Sequence, residues 1–221
     1  MKKLISGVTQ FQKTKFTQHK ELFQTLAGGQ SPEVLFITCA DSRIDPSLIT
    51  QTLPGELFIC RNAGNIVPPH SNNSGGMTAS IEYAVSVLDI KHIVICGHTD
   101  CGAMKGALAP QAIKSLPHVS NWLSHCDAAR AKLTARYHDL DEQHLSEMTE
   151  ENVLLQLKHL ETHPSVAAKI AVDSLELHGW VYDIATGEVT CYSEQQQKFL
   201  PITDCYADQL DHNNDLQLNS K

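Results

Sequence analysis

Positive charge is scarce in this chain: 17 Lys and Arg stand against 25 Asp and Glu, a net charge of −8 over 221 residues. That balance argues against a non-specific nucleic-acid binder, which needs a basic surface, and against attraction to an anionic membrane. Long apolar runs are missing as well. The opening MKKLISGVTQFQKTKF is basic at its start, but its apolar run stops after a few residues. Neither a secretory leader nor a membrane span is expected, and the expected compartment is the cytoplasm. A disulfide framework is also lacking: the 7 cysteines are an odd number, spread without regular spacing. Reduced thiols are therefore expected, and metal binding is the sharper use for them. No internal repeat or low-complexity segment breaks the chain. The hydrophobic fraction of 42% excludes a disordered polymer and suffices for one domain with a substantial core.

What is present is organised around Val34–Arg43, VLFITCADSR. Its first part is uncharged and rich in β-branched and aromatic residues, as a strand covered on both faces should be. It runs into a Cys-x-Asp-x-Arg end, so Cys39, Asp41 and Arg43 occupy alternate positions. On extended backbone such residues point the same way, which would bring the three heads to one site. The stretch His92–Gly102, HIVICGHTDCG, repeats the plan, with a strand ending in His98-x-x-Cys101. Two strand ends thus supply two thiols and one imidazole.

The remaining pattern says how these ends meet. Residues 1–29 form a helical arm, with apolar residues at near-helical spacing from Leu4 to Leu26 and a stop at Gly28-Gly29. Such an arm must dock either on its own domain or on a second subunit. Residues 30–203 form the main domain. Strand Val34–Ala40, a short helix opened by Asp45-Pro46, strand Glu56–Arg61, a loop, helix TASIEYAVSVLD and strand His92–His98 predict a mostly parallel sheet in a three-layer α/β domain. Open sheets of this kind place their sites at the carboxyl ends of the strands. From Cys101 to about Lys169 the pattern is helical, with breaks near Asp139–Glu142 and at Pro164. LELHGWVYDI and EVTCYS read as a strand pair around Thr186-Gly187. Residues 204–221 form a polar tail.

Two thiolates and one imidazole suit zinc, a borderline-soft ion that favours tetrahedral sulfur and nitrogen ligands. Three protein ligands leave a fourth position open, the mark of a catalytic site. Cys60, Cys96, Cys126, Cys191 and Cys205 lack comparable company and are expected to be core filler. Among the histidines only His98 has a ligand's context. Asp41 and Arg43 could be a plain ion pair. More specifically, the guanidinium would hold the carboxylate charged and fixed as a hydrogen-bond acceptor beside the metal.

Four motifs in order, CADSR, RNAGN, SIEYAV and CGHTDCG, closely resemble those of a β-class carbonic anhydrase. The resemblance is strong over about Gln30–Gly106 and looser over LHGWVYDIATGEV. It implies reversible hydration of CO2 to bicarbonate and a proton, one zinc ion per chain on Cys39, His98 and Cys101, and Asp41–Arg43 as an orienting dyad. It further implies a pocket in which Gln30 donates to a bicarbonate oxygen, Phe58 and Tyr83 wall the CO2 site, and the Gly102 N–H faces the anion. In that family the pocket lies at a dimer interface and the arm wraps the partner, so a homodimer or higher homo-oligomer is implied. Hydrolysis of carbonyl sulfide or carbon disulfide would use the same site, and a non-catalytic structural or redox zinc module is the contrasting class. Some members close the site when bicarbonate binds near a tryptophan three residues before the first metal cysteine. Here Phe36 stands at that position and offers no N–H, which implies a site open at neutral pH.

Overall fold

The computed structural model describes residues 1–72 and 75–210. The arm, expected as one helical stretch, is three helices: α1 (Lys2–Lys13), α2 (Lys15–Gln18) and α3 (Lys20–Leu26). The first break is at Thr14, whose hydroxyl donates to Gln10 O at 2.8 Å, a local bond that competes with the helical ladder. The bends gather Phe11, Phe16 and Phe23, with ring centroids 5.1–6.2 Å apart. No residue of these helices is buried, and Leu4, Ile5 and Val8 are 59–66% exposed. Among the described residues, nothing buries the apolar stripe of the arm.

The apolar run of β1 (Val34–Cys39) lies inside the sheet, and five of its six residues are buried. Asp45 then caps α4 (Pro46–Thr50), its carboxylate accepting from Leu48 N at 3.3 Å. After β2 (Leu57–Asn62) come α5 (Gly76–Ser86), β3 (His92–His98) and a helical stretch: α6 (Gly102–Leu108), α7 (Pro117–Leu123), α8 (Asp127–Tyr137), α9 (Leu145–Glu161) and α10 (Pro164–Ile170). The chain continues through β4 (Glu176–Tyr182), β5 (Val189–Ser193), β6 (Lys198–Pro201) and α11 (Ile202–Cys205). The sheet order is β2-β1-β3-β4-β5-β6; the first four strands are parallel and the last two antiparallel. This is the mostly parallel α/β sheet expected from the pattern. β6 was not foreseen, because KFLP is too short to show alternation and ends in proline.

One face of the sheet packs Leu35, Ile37, Ile93 and Ile95 against Ile81, Val85, Val153, Leu160 and Val166 from the helices. The opposite face carries a smaller cluster around Phe36, Val94 and Cys96, with Trp180 and Tyr182 beside it. At the carboxyl end of the strands a third cluster gathers Cys39, Cys101, Met104, Leu133 and Met148. Burial of apolar surface of this kind contributes about 25 cal/mol per Å2, so the third cluster helps anchor the site.

Two expectations need correction. Cys191 and Cys205 are joined as a disulfide, with Cα atoms 6.5 Å apart, so the cysteines are not all reduced filler. The hairpin of β5 and β6 folds the chain back, so two cysteines 14 positions apart in sequence meet in space. Second, the expected tail begins inside α11; residues 204–210 are described, whereas 211–221 lie outside the described residues. Among the described residues no helix is long and apolar enough to cross a membrane.

Candidate metal centre

β1 ends on Cys39 and its neighbour β3 ends on His98, so the sheet itself brings thiol and imidazole together. A tight turn follows β3. Thr99 N donates to Tyr182 O at 3.0 Å, and Asp100 takes a left-handed conformation, φ 56°. The turn returns the chain so that Cys101 stands at the start of α6. The Cys39 and Cys101 sulfurs are 4.0 Å apart, and the donor atoms of the three residues all lie within 4.8 Å of one another. Tetrahedral coordination with 2.3 Å metal–sulfur bonds would set two sulfurs about 3.8 Å apart.

The imidazole gives the clearest test of fit. His98 is fully buried, and its Nδ1–H donates to Thr99 O at 2.8 Å. That bond leaves the Nε2 lone pair facing the two thiols, with no hydrogen-bond partner among the described residues. An unsatisfied buried polar atom costs about 1–3 kcal/mol, and a metal ion removes that cost. The sulfurs are prepared as well. Sharing a hydrogen bond with Cys101 lowers the Cys39 pKa, helped by His98 and the Gly64 N–H, against the opposing effect of burial. The same sharing raises Cys101. Gly64 N donates to Cys39 Sγ at 3.4 Å from a left-handed backbone, φ 82°. A Cβ there would fall 2.9 Å from Met104 Cε and 3.0 Å from Ala103 Cβ, so glycine is needed for the approach.

Asp41 and Arg43 do share this site, but not through strand alternation. β1 stops at Cys39, and Asp41–Arg43 form a turn in which Arg43 N donates to Asp41 Oδ1 at 3.0 Å. Arg43 Nε and Nη2 then grip the carboxylate in a fork, at 2.9 and 2.8 Å. Arg43 Nη1 reaches Asp100 at 2.9 Å, and Arg61 donates to the carbonyls of Cys39 and Asp41 at 3.0 and 2.7 Å. The Arg43 guanidinium holds the Asp41 carboxyl far below the usual carboxylate range. Asp41 Oδ2 lies 4.0 Å from His98 Nε2, beside the three donors.

Gly102 opens α6 next to Cys101, but Gln30, Phe58 and Tyr83 lie elsewhere. Phe58 pairs in register with Leu35, while Cys39 pairs with Asn62. Four residues of strand put about 13 Å between those levels. Tyr83, on α5, stands beside Phe58 with ring centroids 6.0 Å apart, and Gln30 is exposed in the loop before β1. Within one chain these residues do not reach the metal centre. Gly64, Arg61 and Asp100 were not picked out as parts of the site; their spacing carries no signal, because one lies on β2, one in the turn after it and one in the turn after β3. Nor is His98 alone in having a ligand's context, since His92, Glu176 and His178 form a second close group of donors.

A family model described as carbonic anhydrase matches residues 34–189. The chain belongs to the β-carbonic anhydrase family. A carbonic anhydrase of Pseudomonas aeruginosa is 44% identical over 204 residues, which span 92% of this chain and 93% of that one. The solved β-carbonic anhydrase CcaA superposes with a TM-score of 0.88 at 43% identity, covering 91% of this chain and 98% of that one. A tetrameric β-carbonic anhydrase of the filamentous ascomycete Sordaria macrospora gives a TM-score of 0.76 at 36% identity, covering 85% and 94%. This carbonic anhydrase thus carries a buried Cys-His-Cys group fit for a metal ion, at the carboxyl end of its parallel strands.

Proposed function

We propose that this carbonic anhydrase hydrates CO2 reversibly to bicarbonate and a proton, in the cytoplasm, with one zinc ion on Cys39, His98 and Cys101. The observation that carries the metal assignment is the buried, unpartnered His98 Nε2 facing two cysteine sulfurs 4.0 Å apart. Two soft sulfurs and one imidazole nitrogen select zinc over harder ions. Bound zinc supplies a Lewis acid that makes water a usable nucleophile near neutral pH.

The residues of the chain position the reactants. Held in the Arg43 fork, Asp41 stays charged and acts only as a hydrogen-bond acceptor. Its place beside the three donors lets it accept the hydrogen of a water there, aiming the oxygen lone pair at the carbon of CO2. The Arg43–Asp100 bond and the Arg61 grip on the Cys39 and Asp41 carbonyls keep the dyad in register with the metal ligands.

The working unit in this proposal is at least a dimer. The exposed Leu4, Ile5 and Val8 of the arm need a covering surface, and Phe58, Tyr83 and Gln30 are too far from the metal centre of their own chain to line it. A second chain bringing these three to the centre would complete the CO2 pocket. Zinc content and CO2 hydration measured on the same sample test the reading. Activity that tracks zinc and vanishes on chelation, with the fold intact, is expected. Full activity in metal-free protein, or unfolding as the sole effect of chelation, would refute it.

A further inference from the structure

On the sheet face opposite α5 and α9, β3 and β4 run side by side with His92 against Glu176 and Val94 against His178. The three polar residues stand at the amino ends of these strands. His92 is six residues from His98 along β3, about 20 Å from the Cys-His-Cys centre. His92 Nδ1 is 3.1 Å from His178 Nε2, and Glu176 Oε2 lies 3.8 Å from the first and 3.9 Å from the second. The point equidistant from three atoms so placed is about 2.1 Å from each, and zinc binds histidine nitrogen and carboxylate oxygen at about 2.0–2.2 Å. We propose that His92, Glu176 and His178 form a second zinc site, separate from the catalytic one.

The surroundings support a ligand role. Two imidazoles hydrogen-bonded to each other need no carboxylate beside them; the third donor makes the pair a His2Glu set, which suits zinc. His178 Nδ1 lies 2.9 Å from Tyr206 Oη, and that oxygen also accepts from Trp180 Nε1 at 3.1 Å. With Nε2 engaged by a metal, the His178 Nδ1–H donates to Tyr206, whose oxygen has lone pairs for both donors. Such a partner fixes the tautomer and the ring plane of a ligating histidine. Beside the three donors lies a groove of about 570 Å3, lined by Val34, Phe36, Leu57, Val94 and Trp180 among others. The fourth position of the metal opens onto this groove, and water or a small exogenous donor fills it.

The test is metal stoichiometry on the full-length protein, titrated with Zn2+ and separately with Co2+. Two ions per chain are expected. With Co2+, only the ion on Cys39 and Cys101 gives a thiolate-to-metal charge-transfer band. His92→Ala and Glu176→Gln should each lose one ion and keep that band, and Tyr206→Phe should weaken the second ion by about 10–100-fold. Glu176 is exposed, so Glu176→Gln serves even if His92→Ala misfolds. A single ion per chain in the wild type, or a second ion retained at unchanged affinity in Glu176→Gln, would overturn the proposal.

Discussion

Arg43 holds Asp41 by two parallel hydrogen bonds, Nε to Oδ1 at 2.9 Å and Nη2 to Oδ2 at 2.8 Å, while Asp41 Oδ2 stays 4.0 Å from His98 Nε2. The fork decides which way the carboxylate faces. Arg43→Ala frees Asp41 to rotate onto the metal centre. Turnover should fall by about 100-fold or more, the scale of a misplaced reacting group, with zinc content unchanged. Equal turnover in wild type and variant, measured by stopped-flow CO2 hydration, would reduce the dyad to an ion pair.

Phe36 is buried, and its ring meets Trp180 edge-on at 5.9 Å. It offers no N–H to an anion, and Arg61 is already engaged by the Cys39 and Asp41 carbonyls. The site should therefore stay open near pH 7 whether or not bicarbonate is added. Crystal structures of the zinc-loaded protein with and without bicarbonate check this. Asp41 bonded to the metal, with an anion beside Phe36 and Arg61, is the outcome that contradicts it.

The exposed stripe Leu4, Ile5 and Val8 should be covered in solution. Deleting residues 1–27 is expected to lower solubility and activity together, with a loss of mass by light scattering. A monomeric and fully active wild type would end the two-chain account of the pocket.

His159 and His163 hold the loop after β2: His159 Nδ1 donates to Val67 O at 2.7 Å and His163 Nε2 to Pro68 O at 3.0 Å. Burial lowers the pKa of both. Below the unfolded value of about 6.5 the unfolded chain binds protons that the folded one resists. Stability is therefore complete above that pH and falls as the pH drops through it toward the lower folded values. Thermal unfolding between about pH 5 and 8 should show this slope, and His163→Gln should flatten it. Identical slopes would remove His163 from the account.

Much of the sheet was legible in the sequence because a strand buried on both faces must be continuously apolar. VLFITC and HIVICGH could hardly be anything else, and their order with the intervening helix implied parallel pairing. Cys39 and His98 were legible for a related reason: they stand at the ends of neighbouring strands, so register brings them close, and the turn after β3 returns Cys101 three residues beyond. Tertiary structure alone decided the rest. The Gly64 N–H on Cys39, the Arg61 grip and the Cys191–Cys205 link join residues 14 to 25 apart through loops whose paths no local pattern specifies. Glu176 and His178 sit on alternate residues of one strand, but their meeting with His92 depends on which strand lies next to β3 and in what register. Side-chain spacing determines what can share a face of one element; only the packing of the whole chain determines which faces meet.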